Sequence, residues 1–124
     1  MRFLHAMIRV KDLEKSLDFY TKLLDMNLVR TILLEDSILY FLSDADGQTQ
    51  IELTANFDTP ECGYENGNAF GHFAFGVDSM EEFTKKLHSS GYEYLYEPFY
   101  MTEAGSKIAF IKDPDGNEIE IIED

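Results

Sequence analysis

The chain has 124 residues, 44% of them hydrophobic and 14% aromatic, which is enough for one domain with a packed core. Its 24 acidic residues outnumber its 10 lysines and arginines, and the formal net charge of −14 argues against nucleic acid or anionic membranes as partners. No apolar run approaches the roughly 18 residues of a membrane span, and the single cysteine, Cys62, excludes an intramolecular disulfide, so we expect a cytoplasmic protein.

The first half of the chain predicts a strand, a helix and three further strands. Residues 3 to 10 alternate between an apolar face and a face that carries His5 and Arg9, as a half-buried strand does. Asp12 is placed to cap a helix over residues 13 to 24. The predicted buried side of that helix is Leu13, Leu17, Tyr20 and Leu24. Strand patterns follow at 28 to 34, 37 to 43 and 48 to 55.

The second half repeats this order from residue 70. An alternating strand that carries His72 leads to a helix capped near Ser79 and ended by Gly91. Met80, Phe83 and Leu87 mark the predicted buried side of this helix. Strands follow near 93 to 97, 107 to 112 and 117 to 123. Each half therefore predicts a βαβββ module, the first over about 2 to 56 and the second over about 70 to 123, with a linker over about 57 to 69.

Four polar residues occupy equivalent places in the two halves. His5 and His72 lie on the opening strands, while Glu52 and Glu120 lie on the closing strands at nearly the same offset. A lone histidine in an apolar strand is more often a hydrogen-bonded structural residue. Two imidazoles and two carboxylates on one concave face, however, suit a divalent first-row metal ion, which would also offset the cost of burying the carboxylates. Spacing alone does not identify the metal.

Several segments resemble the glyoxalase I (lactoylglutathione lyase) family of the vicinal-oxygen-chelate superfamily. They are FLHAMIRVKDLEKSLDFYTKLLDMNLVR, IELTAN, FGHFAFGVD and IAFIKDPDGNEIEIIE. The resemblance implies an α+β fold in which two tandem βαβββ modules form a single domain over residues 1 to 124. It also implies a homodimer whose active sites lie at the interface between the chains.

The resemblance further implies one divalent metal ion per site, held by four side chains. The first-half ligands would come from one chain and the second-half ligands from the other. The short chain is similar to the bacterial branch of the family that nickel or cobalt activates, and zinc stays open as an alternative. The implied ligands are His5, Glu52, His72 and Glu120.

The implied reaction isomerises the hemithioacetal of methylglyoxal and glutathione, or another small thiol, to the S-lactoyl thiol through an enediolate. Glu120 matches the family's catalytic base, and Glu52 either serves the opposite stereoisomer or remains a ligand. Arg9 and Asn56 match positions that bind the glutathione part of the substrate. Residues 97 to 107 depart from the family's Gly- and Lys-containing loop, which leaves the thiol open.

Other functions remain open for this fold. An extradiol dioxygenase would use two histidines and one carboxylate around iron, so a fourth ligand argues against it. A coenzyme A epimerase or a thiol transferase would share the fold and part of the metal chemistry. A metal-free drug-sequestering binding protein of the same fold would not need four metal-competent side chains, and metal analysis would separate these classes.

Overall fold

In each half of the chain, the first strand pairs in parallel with the last strand. A helical segment and two further strands lie between them in the sequence. A computed structural model describes the whole chain, Met1–Asp124, as two units, Met1–Glu65 and Asn66–Asp124. The strands of the first unit are β1 (Ala6–Arg9), β2 (Asn27–Leu33), β3 (Ser37–Ser43) and β4 (Gln50–Asn56). They form one sheet in the order β1-β4-β3-β2.

The strand β1 is shorter than the predicted strand over 3 to 10. Its parallel pairing with β4 begins at Ala6, opposite Ile51, and runs to Arg9, opposite Thr54. Residues well before Ala6 have no partner, because β4, the one neighbour of this edge strand, begins at Gln50. The predicted ends of the other strands agree with the structure to within about two residues, apart from one strand described below.

The segment 13 to 24, predicted as one helix, is helical over most of its length but consists of two different kinds of helix. The helix α1 (Leu13–Asp18) is capped by the Asp12 carboxylate, which accepts from the Lys15 amide at 3.2 Å. A π-helical segment, Phe19–Leu23, follows it. The predicted buried set was partly wrong, because Tyr20 is buried while Leu13, Leu17 and Leu24 are only half-buried. The fully buried residues there are Ser16, Phe19, Tyr20 and Leu23.

The second unit repeats the topology of the first. Its strands are β5 (His72–Val77), β6 (Tyr96–Met101), β7 (Ser106–Lys112) and β8 (Glu118–Glu123). They form a sheet in the order β5-β8-β7-β6, in which β5 and β8 are parallel. The α+β class and the repeated βαβββ order predicted from the sequence are therefore confirmed. Neither helix of the chain is long and apolar enough to cross a membrane.

The helix of the second unit, α2 (Met80–Ser89), begins and ends as predicted. The Ser79 hydroxyl accepts from the Glu82 amide at 3.2 Å at the start. At the end, Gly91 has a φ of 83°, and its amide and that of Tyr92 donate to carbonyls of the last turn. The predicted buried residues Met80, Phe83 and Leu87 are 2%, 6% and 0% exposed.

The strand predicted over 93 to 97 is wrong in position, since β6 spans Tyr96–Met101. Pro98 lies inside it, at a bulge between Tyr96 and Phe99 in the pairing with β7. Proline cannot donate a ladder hydrogen bond, so it disfavours a central strand. It is tolerated because β6 is the edge strand of its sheet.

The closing strands β4 and β8 place their glutamates opposite the core. Leu53 and Ile51 of β4 are 0% and 4% exposed, and Ile119 and Ile121 of β8 are both 0% exposed. Each of these side chains stabilises its unit by about 1.5–3 kcal/mol on burial. Because successive side chains of a strand point to opposite faces, this burial directs Glu52 and Glu120 to the other face. The candidate site is built on that face.

Candidate active site

In the first unit, one predicted histidine lies beside one predicted glutamate. His5 Nε2 is 4.0 Å from Glu52 Oε1, and the Thr54 hydroxyl donates to Glu52 Oε2 at 3.0 Å. The Glu52 side chain is 10% exposed and that of His5 is 34% exposed. A carboxylate this buried requires polar partners, and the hydroxyl and the imidazole are those partners.

In the second unit, the other predicted histidine and glutamate form a closer pair. His72 Nε2 is 3.1 Å from Glu120 Oε2, and the two side chains are 40% and 16% exposed. No hydroxyl or amide donates to Glu120, in contrast to Glu52. The two carboxylates are thus equivalent in topology but differ in how firmly their neighbours hold them.

Each histidine also contacts a phenylalanine. That phenylalanine lies on the strand that pairs antiparallel with the closing strand of its unit, β3 beside β4 and β7 beside β8. The His5 and Phe41 rings meet edge to face, with centroids 5.3 Å apart, and the His72 and Phe110 rings do so at 5.5 Å. Phe41 pairs with Glu52 in the register of β3 and β4, and Phe110 pairs with Glu120 in that of β7 and β8. Each aromatic ring therefore flanks both members of an imidazole–carboxylate pair.

The donor set suits a divalent metal ion. Ligand atoms lie about 2.0–2.2 Å from a first-row ion, so adjacent ligands are about 3–3.5 Å apart. The 3.1 Å separation of His72 and Glu120 agrees with this range, and the 4.0 Å separation of His5 and Glu52 is slightly longer. No group of three or more His, Cys, Asp or Glu side chains that could hold a metal forms within the chain. The predicted ligands therefore come together two at a time.

The two predicted substrate-binding residues lie on the same sheet face as the first pair. Arg9 of β1 pairs with Thr54 of β4 and is exposed, and the chain offers it no ion pair. Asn56 ends β4, and its side-chain oxygen accepts from the Tyr64 hydroxyl at 3.4 Å. That hydroxyl also lies 3.3 Å from the Thr59 hydroxyl. The Asn56 amide is thus oriented with its oxygen engaged and its NH₂ group available as a donor.

The segment that departs from the family loop offers no cation to the face of the second sheet that carries Glu120. Lys107 of β7 lies 4.0 Å from Glu123 Oε1. Glu123 Oε2 in turn accepts from the Met80 amide at the start of α2, at 2.7 Å. Lys107 therefore lies on the helix-covered side of its sheet, opposite the face that carries Glu120.

Sequence reasoning missed the supporting residues of the site. Phe41 and Phe110 look like ordinary core residues, although they repeat at nearly the same offset as the histidines. Arg30 was also missed, and its guanidinium lies 4.4 Å from the centroid of the Phe41 ring. The repeat offset was the signal that would have identified the two phenylalanines, whereas nothing in the sequence marked Arg30.

Residues 2–121 match the model of the Glyoxalase/Bleomycin resistance protein/Dioxygenase superfamily. The lactoylglutathione lyase of Escherichia coli O157:H7 is 40% identical over 131 residues, covering 100% of this chain and 93% of that protein. The lactoylglutathione lyase of Neisseria meningitidis serogroup A is 41% identical over 127 residues, covering 99% of this chain and 91% of that protein.

Solved structures are similar over the same length of chain. The trypanothione-dependent glyoxalase I of Leishmania major superposes with a TM-score of 0.81 at 34% identity, covering 98% of this chain and 86% of that chain. The glyoxalase I of Zea mays superposes with a TM-score of 0.86 at 32% identity. It is matched over 99% of this chain but only 44% of that chain, so this chain spans under half of the maize protein.

Proposed function

Because the chain belongs to the Glyoxalase/Bleomycin resistance protein/Dioxygenase superfamily, and within it to the lactoylglutathione lyase family, we propose that it is a metal-dependent glyoxalase I. Its substrate would be the hemithioacetal of methylglyoxal and glutathione, or of another small thiol, and its product the S-lactoyl thiol. The observation that carries this proposal is the repeated imidazole–carboxylate pair, His5 with Glu52 and His72 with Glu120.

These four side chains would hold one divalent ion per site. When bound there, the ion would supply Lewis-acid stabilisation for the negative charge that develops on the substrate oxygens when the carbon-bound proton leaves. Nickel or cobalt is the ion we favour, with zinc as the alternative, since imidazole and carboxylate ligands suit all three.

The complete site is proposed to form in a homodimer. Each unit brings one imidazole and one carboxylate together, which is half of a four-ligand set. In a symmetric dimer, His5 and Glu52 of one copy would meet His72 and Glu120 of the other, and the reciprocal arrangement would form a second site.

Glu120 is proposed as the base that moves the proton between the two substrate carbons. Its carboxylate accepts no hydrogen bond from a hydroxyl or amide. Only Oε2 lies beside His72 Nε2, at 3.1 Å, so Oε1 is available to approach a carbon-bound hydrogen beside the carbonyl. The Glu52 carboxylate is oriented by the Thr54 hydroxyl at 3.0 Å, which suits a ligand with a fixed position. Glu52 would then remain a ligand or serve the opposite stereoisomer.

The thiol part of the substrate is proposed to bind to Arg9 and Asn56. Arg9 is an exposed cation without an ion pair in a very acidic chain, and it attracts carboxylates. The Asn56 NH₂ group can donate to the same ligand because Tyr64 engages its oxygen.

We also propose a cytoplasmic location, since the one cysteine, Cys62, is free and exposed.

The alternatives make different predictions about metal. A coenzyme A epimerase or a thiol transferase would bind a metal but would not form the lactoyl thioester. A metal-free drug-sequestering protein has no use for buried carboxylates that face imidazoles, such as Glu52 facing His5. Metal analysis of the purified protein separates this last class from the enzymes.

The proposal is tested by following thioester formation by ultraviolet absorbance with methylglyoxal and glutathione. Each assay is repeated with other small thiols and with nickel, cobalt and zinc added to stripped protein. We expect turnover that depends on added metal and on a thiol. Absence of turnover in every combination, with near-stoichiometric metal bound, would reject the lyase function, and absence of bound metal after reconstitution would favour the binding protein.

A further inference from the structure

Resting on the function proposed above, we propose that Arg30 is a specificity-determining residue that binds a carboxylate of the thiol part of the substrate. Together with Arg9, it would select thiols that carry two carboxylates. The residues that the resemblance implies as metal ligands or substrate contacts do not include Arg30, which its place on the sheet brings to the candidate site.

Arg30 lies in the same transverse row of the first sheet as the candidate ligand Glu52. Arg30 of β2 pairs with Phe41 of β3, and Phe41 pairs with Glu52 of β4. Residues opposite each other in adjacent strands share a face, so the Arg30 side chain lies on the face that carries His5 and Glu52. Neighbouring strands are about 4.8 Å apart, so β2 and β4 are separated by about 10 Å.

A cation–π contact holds the Arg30 guanidinium over this face. Its central carbon is 4.4 Å from the centroid of the Phe41 ring, and the same ring contacts His5 edge to face. A cation–π contact consumes none of the N–H donors of the guanidinium. The stack therefore positions the cation beside the candidate site and leaves its hydrogen-bonding capacity unused.

The charge of Arg30 is also not neutralised within the chain. The ion pairs of the protein use lysine and histidine side chains, such as Lys22 with Asp18 and Lys85 with Glu81, and the Arg30 side chain takes part in no ion pair or hydrogen bond. It is exposed in a chain with a net charge of −14. A permanent positive charge in that surrounding is a local attraction for an anionic ligand.

The positions of Arg9 and Arg30 on either side of Glu52 indicate the chemistry of the ligand. Arg9 lies on the edge strand β1 and Arg30 on the opposite edge strand β2, with the strand of Glu52 between them. Guanidinium groups bind carboxylates through two parallel hydrogen bonds. The edge strands β1 and β2 are three strand spacings, about 14 Å, apart, but the Arg30 guanidinium lies over Phe41 of β3, only about 10 Å from β1. A tripeptide spans about 10 Å when extended, so a thiol tripeptide with a carboxylate at each end can reach both arginines.

The test is direct binding of an unreactive ligand to the metal-loaded protein. S-methylglutathione carries both carboxylates and cannot form a hemithioacetal, and its diethyl ester carries neither. We expect Arg30→Gln to weaken binding of S-methylglutathione about tenfold by calorimetry, with Arg30→Lys in between and the diester bound equally by all three proteins. The matched control Lys22→Gln removes the same charge from the exposed surface of the π-helical segment and should leave binding unchanged.

Two results would overturn the proposal. One is equal affinity of the unsubstituted protein and Arg30→Gln for S-methylglutathione. The other is no preference of the unsubstituted protein for S-methylglutathione over its diester. Failure of the lyase function has a different signature, namely Arg30-dependent binding of S-methylglutathione without thioester formation in any metal.

Discussion

The ring of Phe110 meets the imidazole of His72 edge to face, with centroids 5.5 Å apart and an interplanar angle of 83°. The same relationship joins Phe41 and His5 in the other unit at 5.3 Å and 85°. The two units therefore repeat the support of the candidate ligands as well as the ligands themselves. An aromatic pair of this geometry contributes about 0.5–1.5 kcal/mol beyond its buried area.

Replacing Phe110 should weaken metal binding without destroying the site. Phe110→Leu keeps an apolar side chain but removes the ring edge that orients His72, so we expect the metal dissociation constant to rise about two- to tenfold. Calorimetric titration of stripped protein measures it. Phe57→Leu, at a position that is 61% exposed, is the control, and an unchanged constant in Phe110→Leu would show that the ring does not orient the ligand.

The two glutamates should respond differently to loss of charge. Glu120→Gln removes the proposed base, so kcat should fall by at least about a hundredfold while metal stays measurably bound. Glu52→Gln should chiefly weaken metal binding, because the Thr54 hydroxyl holds Glu52 in one position. Metal content and turnover are measured on the same samples. The control is Glu82→Gln, on the exposed side of α2. Near-normal turnover of Glu120→Gln would exclude it as the base.

Mixing two inactive variants tests whether the sites are shared between copies. If His5 of one chain and His72 of the other serve one site, a heterodimer of His5→Ala and His72→Ala retains one intact site. Random reassociation should then restore about a quarter of the unsubstituted activity. Sites contained within single chains would give no restoration, and mixing either variant with itself is the control.

The partly buried hydroxyl of Tyr94 should make the free energy of unfolding fall in alkaline solution. Burial, with a smaller contribution from Glu97, raises the pKa of Tyr94 above its usual 10.0. The folded state therefore holds this proton more tightly, and the resulting stabilisation is present below about pH 10 and is lost as the pH rises through the raised value.

Urea unfolding across this range measures the effect. Tyr94→Phe should lose about 1 kcal/mol at neutral pH, because its hydroxyl lies 2.8 Å from that of Thr84. Its free energy of unfolding should then decline less steeply above about pH 10 than that of the unsubstituted protein. Tyr100→Phe, at an exposed position, should not alter the slope, and parallel slopes for Tyr94→Phe would contradict the assignment.

Local rules predicted much of the fold, whereas the repeat between the two halves and the family resemblance indicated the four candidate ligands. Period-two alternation decides which face a strand residue occupies, so His5 and Glu52 could be assigned to one face without knowing their partners. The carboxylate of Asp12 and the left-handed Gly91 marked helix ends by chemistry that acts within a few residues. These features need no tertiary information.

The remaining features depend on packing and register. The π-helical turn at Phe19–Leu23 has no sequence signal, because the spacing of its apolar residues also fits an α-helix. Phe41 became part of the site only through the register of β3 on β4, and Arg30 through the register of β2 on β3. Pairings across strands are decided by the whole sheet, which local periodicity does not describe.

The proline in β6 has a consequence for behaviour at high concentration. Other polypeptides can pair with an uncovered strand edge and extend the sheet, and this is a common route to fibrillar aggregates. Pro98 and the adjacent bulge interrupt the row of donors that such growth requires. The edge at β6 is therefore a poor template for polymerisation, and we expect concentrated solutions of the chain to resist amyloid-like growth from it.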